Sequence, residues 1–201
     1  MKVIAFDVFG TLFDLGGVPI PELQAYQKHL REFRESGEWK PLSFPESWER
    51  LPAFEDSASG LRVLRFNYFV CTCSNAPLGL QAKLFKHAHM SVDAFIPLEL
   101  GQTFKTNPKA YMMICDVLGV EPKDVLMVTA NEHFGDLEAS QALGMTPCLI
   151  RKYPSLESTW RLFQLLTEAR AGAKAERQPK NIAQSEEEYL AIQRLQTWAT
   201  Q

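Results

Sequence analysis

A chain of 201 residues with 46% hydrophobic and 22% charged residues has the composition of a globular protein that can bury a core. Its formal net charge of -3 argues against nucleic acid as a main partner. The sequence contains no apolar run long enough to span a bilayer and no signal-peptide pattern at the N-terminus. We therefore predict a cytoplasmic protein with no membrane partner.

The first predicted element is a short buried strand in the segment KVIAFDVFGTLFD, residues 2–14. Asp7 stands where this strand ends, and Gly10 marks a tight turn just after it. An aspartate in such a place often caps a turn by accepting hydrogen bonds from nearby amides. However, ligands of open α/β sheets bind beyond the carboxyl ends of the strands, so Asp7 also stands at the mouth of a predicted crevice.

A long insertion follows the first strand. Leu23, Tyr26, Leu30 and Phe33 recur at helical spacing and predict an amphipathic helix over residues 22–35. The rest reads as irregular structure with one helical turn near residues 46–50. We interpret residues 13–55 as a small, mostly helical cap that lies over the crevice, and we call them the cap segment.

Strands and helices then alternate along the chain, which predicts an α/β fold with a doubly wound parallel sheet and right-handed connections. The predicted strands after the first cover 67–72, 94–98, 125–128 and 147–150, and the helices cover 57–64, 78–89, 108–118, 136–143 and 156–169. Residues 1–12 and 56–169 would form this Rossmann-like core.

The C-terminal part of the chain has a different pattern. Residues 170–184 are rich in Ala, Lys, Gln and Arg without apolar spacing and read as a linker. Residues 185–201 read as a helix, which begins with Ser185 and three glutamates. Its apolar face predicts docking either on its own domain or on a second copy, so a homodimer stays open.

The cysteines are predicted to have no special role. The chain has four, and their spacing does not match that of zinc ligands. We expect small buried thiols in a reducing compartment. The four residues are Cys71, Cys73, Cys115 and Cys148.

Polar side chains follow the strand ends along the predicted sheet. Each of these side chains alone is weak evidence for a functional site, because Ser-Asn after a strand is usually a turn and a loop lysine is usually a solvated charge. Parallel order nevertheless brings these ends to one edge of the sheet. The residues in question are Asp7 and Thr11, Ser74 and Asn75, Lys105, and Asn131 and Asp136.

Taken together and in this order, the segments resemble the four motifs of the haloacid dehalogenase superfamily of hydrolases. The matching segments are FDVFGTLFD, TCSNAP, FKTNPKAY and MVTANEHFGDLEASQALGM. A single short motif would be weak evidence for a family, whereas a match to all four motifs in the right order is specific. The resemblance covers residues 1–152 apart from the cap segment, and it implies a hydrolase that acts on a small anionic substrate.

The resemblance implies a role for each catalytic position. Asp7 would be the nucleophile that forms a covalent ester or acyl phosphate, with Thr11 in the same motif. Lys105 would neutralise charge near Asp7, and Ser74 would help to hold the substrate's negative end. Asp136 would orient or deprotonate water in the second step.

Two departures from the phosphatases of this superfamily argue against a metal. Those enzymes carry a second aspartate two residues after the nucleophile, where this chain has Phe9. They also hold magnesium with an aspartate where this chain has Asn131, and an amide is a poorer magnesium ligand. We therefore expect no cofactor; if magnesium is bound, its ligands would be Asp7, the Phe9 carbonyl, Asn131 and Asp136.

With these departures, the motifs of this chain resemble those of the branch that hydrolyses 2-haloacids without metal. The resemblance implies substrate contacts from Phe9, Asn75, Tyr111, Thr129 and Asn131.

The cap segment is short for that branch. Tyr26 aligns with the arginine that the branch places near the leaving halide, and Arg31 and Arg34 follow one or two turns later. Either arginine would be a substrate ligand or a solvated charge. His133, in a lengthened loop, would be a surface residue or a helper that titrates near neutral pH.

Three functions remain open from the sequence. The first is a metal-independent hydrolase like the 2-haloacid dehalogenases. The second is a magnesium-dependent phosphomonoesterase. The third is a catalytically weak relative that binds a small anion or a protein.

Overall fold

The structure is a computed structural model, and it describes residues 1–150, 193–195 and 197–200. The predicted linker over 170–184 and helix over 156–169 lie outside the described residues. Within the described part of the chain, no helix is both long and apolar enough to cross a membrane. The cytoplasmic location stays a prediction.

Five parallel strands form one sheet in the order β3-β2-β1-β4-β5, with helices packed around it. The strands are β1 (Val3–Phe6), β2 (Phe69–Cys73), β3 (Ala94–Ile96), β4 (Val125–Thr129) and β5 (Thr146–Leu149). The helices are α1 (Ile20–Ser36), α2 (Ser57–Leu64), α3 (Leu78–His87), α4 (Pro108–Leu118) and α5 (Asp136–Ala142). Short 3₁₀ turns cover Glu46–Arg50 and Pro122–Asp124. The predicted α/β parallel sheet is confirmed.

The central strands are apolar because both of their faces are covered. All four residues of β1 and all five of β4 are buried. They separate two apolar clusters, one on each face of the sheet, as expected for a doubly wound fold. β1 pairs with β2 and β4, so the carboxyl ends of all three strands lie at one edge of the sheet.

Several predicted boundaries were wrong by one or two residues, each for a local reason. The strand predicted over 67–72 begins at Phe69 because the chain is still turning, with the Tyr68 amide bonded to the Leu64 carbonyl. The strand predicted over 94–98 ends at Ile96, since Pro97 has no amide to donate. The helix predicted to reach residue 89 ends at His87, and His89 adopts a positive φ of 52°.

The cap segment packs its apolar side onto the core. Its helix α1 ends at Gly37, whose φ of 69° is the left-handed conformation that glycine adopts most readily. Trp48, which is 1% exposed, donates its indole N–H to Glu22 of α1 at 2.9 Å. Its ring also packs against Phe9, with ring centroids 5.1 Å apart.

The described part of the C-terminal helix lies on the core of its own chain. Leu195 and Trp198 are buried in the larger apolar cluster. The Trp198 ring lies 5.5 Å from the Tyr68 ring and 5.3 Å from the Lys2 ammonium. Trp198 therefore packs against the loop that leads into β2.

Candidate active site

The site is built around Lys105, whose ammonium group lies between two carboxylates. Its Nζ donates to Asp7 Oδ1 at 2.6 Å and to Asp136 Oδ2 at 2.9 Å. The lysine is 2% exposed, Asp136 is fully buried and Asp7 is 7% exposed. Three charged groups with a net charge of −1 thus meet in a region from which most water is excluded.

Each carboxylate also accepts a second hydrogen bond. Thr11 Oγ1 donates to Asp7 Oδ2 at 3.1 Å, and the Ala130 amide donates to Thr11 Oγ1 at 2.9 Å. The Tyr111 hydroxyl donates to Asp136 Oδ1 at 2.5 Å. These bonds fix both carboxylates relative to the sheet, because their donors come from the turn after β1, the loop after β4 and helix α4.

The electrostatic environment favours a charged lysine. Burial lowers the pKa of Lys105, but Asp136 and Asp7 raise it by more, so its pKa lies above the ordinary range. Burial raises the pKa of Asp7, and Lys105 works against that rise. Burial, together with Asp136, raises the pKa of Tyr111, which keeps its hydroxyl protonated as a donor.

The loops that carry Lys105 and Asn75 are joined by their backbones and side chains. The Lys105 amide donates to Asn75 Oδ1 at 2.7 Å, and Asn75 Nδ2 donates to the Lys105 carbonyl at 3.4 Å. Asn107, two residues further on, accepts a hydrogen bond from the Lys109 amide and so caps the N-terminus of α4. Lys105 is therefore held from the strand-end loop on one side and from a capped helix on the other.

A cavity of about 390 Å³ opens above Asp7. The core contributes polar groups to its wall, and helix α1 of the cap segment contributes both apolar and charged groups. Its lining residues are Asp7, Phe9, Leu15, Leu23, Tyr26, Gln27, Leu30, Arg31, Arg34, Asn75, Lys105, Asn131, His133 and Phe134.

Two of the predicted substrate ligands do not line this cavity. Tyr111 is fully buried and contacts Asp136. Thr129 is also fully buried, and its Oγ1 accepts a hydrogen bond from the Asn131 amide at 3.1 Å. Ser74 lies behind Asn75, where its Oγ accepts a hydrogen bond from the Ala76 amide at 3.1 Å. The sequence pattern brings all three to the right strand ends but cannot tell the cavity wall from the layer beneath it.

The two arginines of α1 differ in their surroundings. Arg34 donates to the Phe134 carbonyl at 2.6 Å, and its guanidinium lies 4.4 Å from the Phe134 ring centroid. Arg31 lines the cavity and has no hydrogen bond or ion pair within the part of the chain that the structure describes. His133 lines the cavity as an exposed residue, and its amide donates to Asn131 Oδ1 at 3.2 Å.

Sequence reasoning missed several residues of the cavity wall. Leu15 and Gln27 lie outside the quoted motifs, Phe134 lies within the fourth motif segment but was given no role, and Leu23 and Leu30 indicate only the apolar face of a helix. The helical spacing of Leu23, Tyr26 and Leu30 identified one face of α1, but not that this face borders Asp7. The resemblance points to the motif positions alone, so no signal in the sequence singled these residues out.

The four cysteines are buried and free, as predicted. Burial raises the pKa of both the Cys73 and the Cys148 thiol to about 12. Neither thiol is a nucleophile at neutral pH, since the reactive form is the thiolate.

Comparison with known proteins gives the site a context. A search of family models finds no match to this chain. An (S)-2-haloacid dehalogenase of Xanthobacter autotrophicus is 25% identical to this chain over an alignment of 173 residues. The match covers 65% of this chain and 68% of the relative.

Solved structures show the same fold. One L-2-haloacid dehalogenase gives a TM-score of 0.65 at 24% identity, over 78% of this chain and 86% of its own. The L-2-haloacid dehalogenase of Xanthobacter autotrophicus with chloropropionic acid covalently bound gives a TM-score of 0.63 at 22% identity, over 84% of this chain and 83% of its own. This chain therefore has the fold of the solved L-2-haloacid dehalogenases, and it is similar in sequence to the (S)-2-haloacid dehalogenase of Xanthobacter autotrophicus.

Proposed function

We propose that this chain hydrolyses the carbon–halogen bond of small 2-haloacids through an ester formed on Asp7. The observation that carries the proposal is the position of Asp7, which borders a cavity while Lys105 Nζ holds its Oδ1 at 2.6 Å. Phe9, rather than a second carboxylate, stands two residues further on and lines the same cavity. The covalently bound chloropropionic acid in the Xanthobacter relative supports this chemistry.

In the first step, a carboxylate oxygen of Asp7 attacks C2 of the substrate from the side opposite the halogen. The new oxygen–carbon bond forms as the carbon–halogen bond breaks, and the halide leaves with the electron pair. This step removes the negative charge of Asp7. The hydrogen bonds from Lys105 and Thr11 hold the carboxylate in place for attack.

In the second step, water attacks the carbonyl carbon of the Asp7 ester, which releases the 2-hydroxyacid and restores the carboxylate. We assign Asp136 as the base that takes the proton from this water. Once Asp7 is esterified, Lys105 and Asp136 form a one-to-one ion pair. Tyr111, bonded to Asp136 at 2.5 Å, acts as a positioning residue for this carboxylate.

The substrate carboxylate needs a cationic partner other than Lys105, because the single positive charge of Lys105 is already exceeded by the two negative charges of Asp7 and Asp136. Arg31 borders the cavity and, among the described residues, has no carboxylate partner. Tyr26 also borders the cavity, and burial and Asp7 raise its pKa, so its hydroxyl stays a neutral donor. We propose that Arg31 and Tyr26 hold the anionic substrate and the departing halide.

The reaction is proposed to need no metal. Both oxygens of Asp7 and both oxygens of Asp136 accept hydrogen bonds from protein donors. Asn131 Oδ1 accepts the His133 amide, and the described residues contain no group of three His, Cys, Asp or Glu side chains that could hold a metal ion. Lys105 supplies the positive charge between the two carboxylates, which supports a reaction without a metal.

The test measures halide release from 2-chloropropionate and 2-bromopropionate with chelator-treated protein. We expect halide release that chelation leaves unchanged. A parallel assay of an aryl phosphate with added magnesium addresses the phosphatase alternative. Phosphate release without halide release would overturn the proposal in favour of a phosphomonoesterase, and activity in neither assay would favour a binding protein.

A further inference from the structure

The cavity above Asp7 has two chemically different parts. Its polar part comes from the strand ends, where Lys105 and Asn75 lie beside Asp7, and from polar side chains of helix α1 and of the loop after β4, which are Gln27, Arg31, Arg34, Asn131 and His133. Its apolar part comes from the turn after β1, from helix α1 and from the loop after β4. The apolar side chains that line it are Phe9, Leu15, Leu23, Tyr26, Leu30 and Phe134.

The volume of the cavity exceeds what a short haloacid fills. The molecule 2-chloropropionate has about six non-hydrogen atoms, which at roughly 30 Å³ each, the share of a water molecule, take up roughly 180 Å³. The cavity holds about 390 Å³, more than twice that amount. The remaining roughly 210 Å³ would admit about seven further carbon atoms on the same measure.

Contacts at both ends of α1 hold the apolar wall in place. Near its start, Glu22 accepts the hydrogen bond of the Trp48 indole at 2.9 Å. Near its end, the Phe33 and Phe104 rings stack with centroids 4.9 Å apart. Arg34, one residue further along, binds the Phe134 carbonyl. Because α1 is fixed at two separated places, it cannot move inward as one body to close the empty space without breaking these contacts.

We propose that the preferred substrates are 2-haloalkanoates with a long apolar substituent on C2, up to about ten carbons in all, rather than 2-halopropionates. The inference rests on the proposed function for the reaction at C2. The carboxylate and C2 lie beside Asp7 and Arg31, and the alkyl chain lies along Leu15 and Leu23. An unfilled apolar wall favours such a chain, because burying apolar surface releases water from both partners.

The first experiment compares halide release from 2-bromopropionate, 2-bromohexanoate and 2-bromooctanoate. We expect kcat/KM to rise with chain length, by at most about fourfold for each buried methylene. A kcat/KM that stays flat or falls while 2-bromopropionate is hydrolysed would overturn this inference and leave the proposed function intact.

The second experiment places larger side chains in the apolar wall, so that they occupy the space proposed for the alkyl chain. Leu23→Trp, or Leu15→Phe should the first variant fold poorly, is expected to abolish the gain in kcat/KM of the longer acids over 2-bromopropionate, both measured in the same variant. Leu100→Trp is the matched control, since Leu100 is 77% exposed and does not line the cavity. A chain-length preference that survives in both filled variants would contradict the assignment of the wall.

A binding measurement separates this inference from the reaction itself. Calorimetry on Asp7→Asn with propionate, hexanoate and octanoate needs no chemistry at C2. Affinity that rises with chain length in Asp7→Asn, and stays flat when Leu23→Trp is added, supports the apolar site even if no haloacid is hydrolysed. Equal affinities for the three acids would overturn it.

Discussion

Asp7, the proposed nucleophile, is held in place at some cost to the stability of the fold. It is buried beside Lys105, but Asp136 shares that lysine, so one of the two carboxylates is always undercompensated. The turn after β1 keeps Asp7 in this position through Thr11, which is itself held by the Ala130 amide. Such strain at a site is common where reactivity requires it.

Asp7→Asn should abolish halide release, on the order of 10⁴-fold or more, because an amide is not a nucleophile. The same variant should unfold at a higher temperature than the wild type near neutral pH. The pKa of Asp7 is raised in the folded protein, so its ionisation lowers the stability of the fold as the pH rises from the pKa of the unfolded chain through that of the folded protein, and the full loss is present above the latter. Below the pKa of the unfolded chain the two proteins should have equal stability.

Thermal unfolding of both proteins across acidic and neutral pH checks the sign of this effect. An Asp7→Asn variant that is less stable than the wild type at neutral pH would show that the Asp7 carboxylate stabilises the fold. The environment of Asp7 would then be opposite to the one described.

Lys105→Ala should inactivate the protein and destabilise it by about 3–5 kcal/mol, since it leaves two buried carboxylates without a cation. Lys109→Ala is the matched control, because the Lys109 side chain is exposed and its ammonium donates to the Gly101 carbonyl, away from the two carboxylates. Chemical denaturation measures the free energy of unfolding of both variants. A Lys105→Ala protein as stable and as active as Lys109→Ala would remove Lys105 from the site.

At the scale of elements, the motif segments were predictable because their signals are local. Pro108 and Gly119 bound α4 at the residues predicted, and the apolar runs of β1 and β4 identify buried strands. Since parallel strands share one edge, Asp7, Lys105 and Asp136 could be expected to meet there.

Other features lay beyond a local pattern. Arg34 and Phe134 are 100 residues apart in the chain, and no spacing rule joins them. Tyr111 was predicted to contact substrate from its place six residues after Lys105. The helix instead carries its hydroxyl to Asp136, because α4 packs against the face of the sheet that presents Val3 and Ala5 of β1. The direction of a side chain on a helix depends on the packing of the whole domain.

The C-terminal helix is an element whose docking can be tested. Trp198 is 1% exposed and packs against Tyr68 of the same chain. Trp198→Ala should therefore destabilise the fold by about 3–5 kcal/mol. The loss in melting temperature should not depend on protein concentration. A loss that shrinks as concentration rises would indicate that a second copy takes part in this contact.

At the scale of the molecule, the loops at the strand ends and the cap segment contribute different parts of the site. The strand ends place Asp7, Lys105 and Asp136 with short hydrogen bonds that leave little freedom. The cap segment contributes the face of α1 that borders the cavity, including Arg31. We propose that the core carries out the chemistry and that the cap segment selects the substrate.

Mass spectrometry of a quenched reaction tests whether an ester forms on Asp7. Asp136→Asn, which keeps the nucleophile but removes the proposed base, is incubated with 2-bromopropionate, quenched in acid and digested. We expect the peptide carrying Asp7 to gain the mass of the substrate without its bromide, and the same peptide of the double variant Asp7→Asn with Asp136→Asn to gain none. Bromide release by the wild type with no adduct on that peptide, or with an adduct elsewhere, would contradict it.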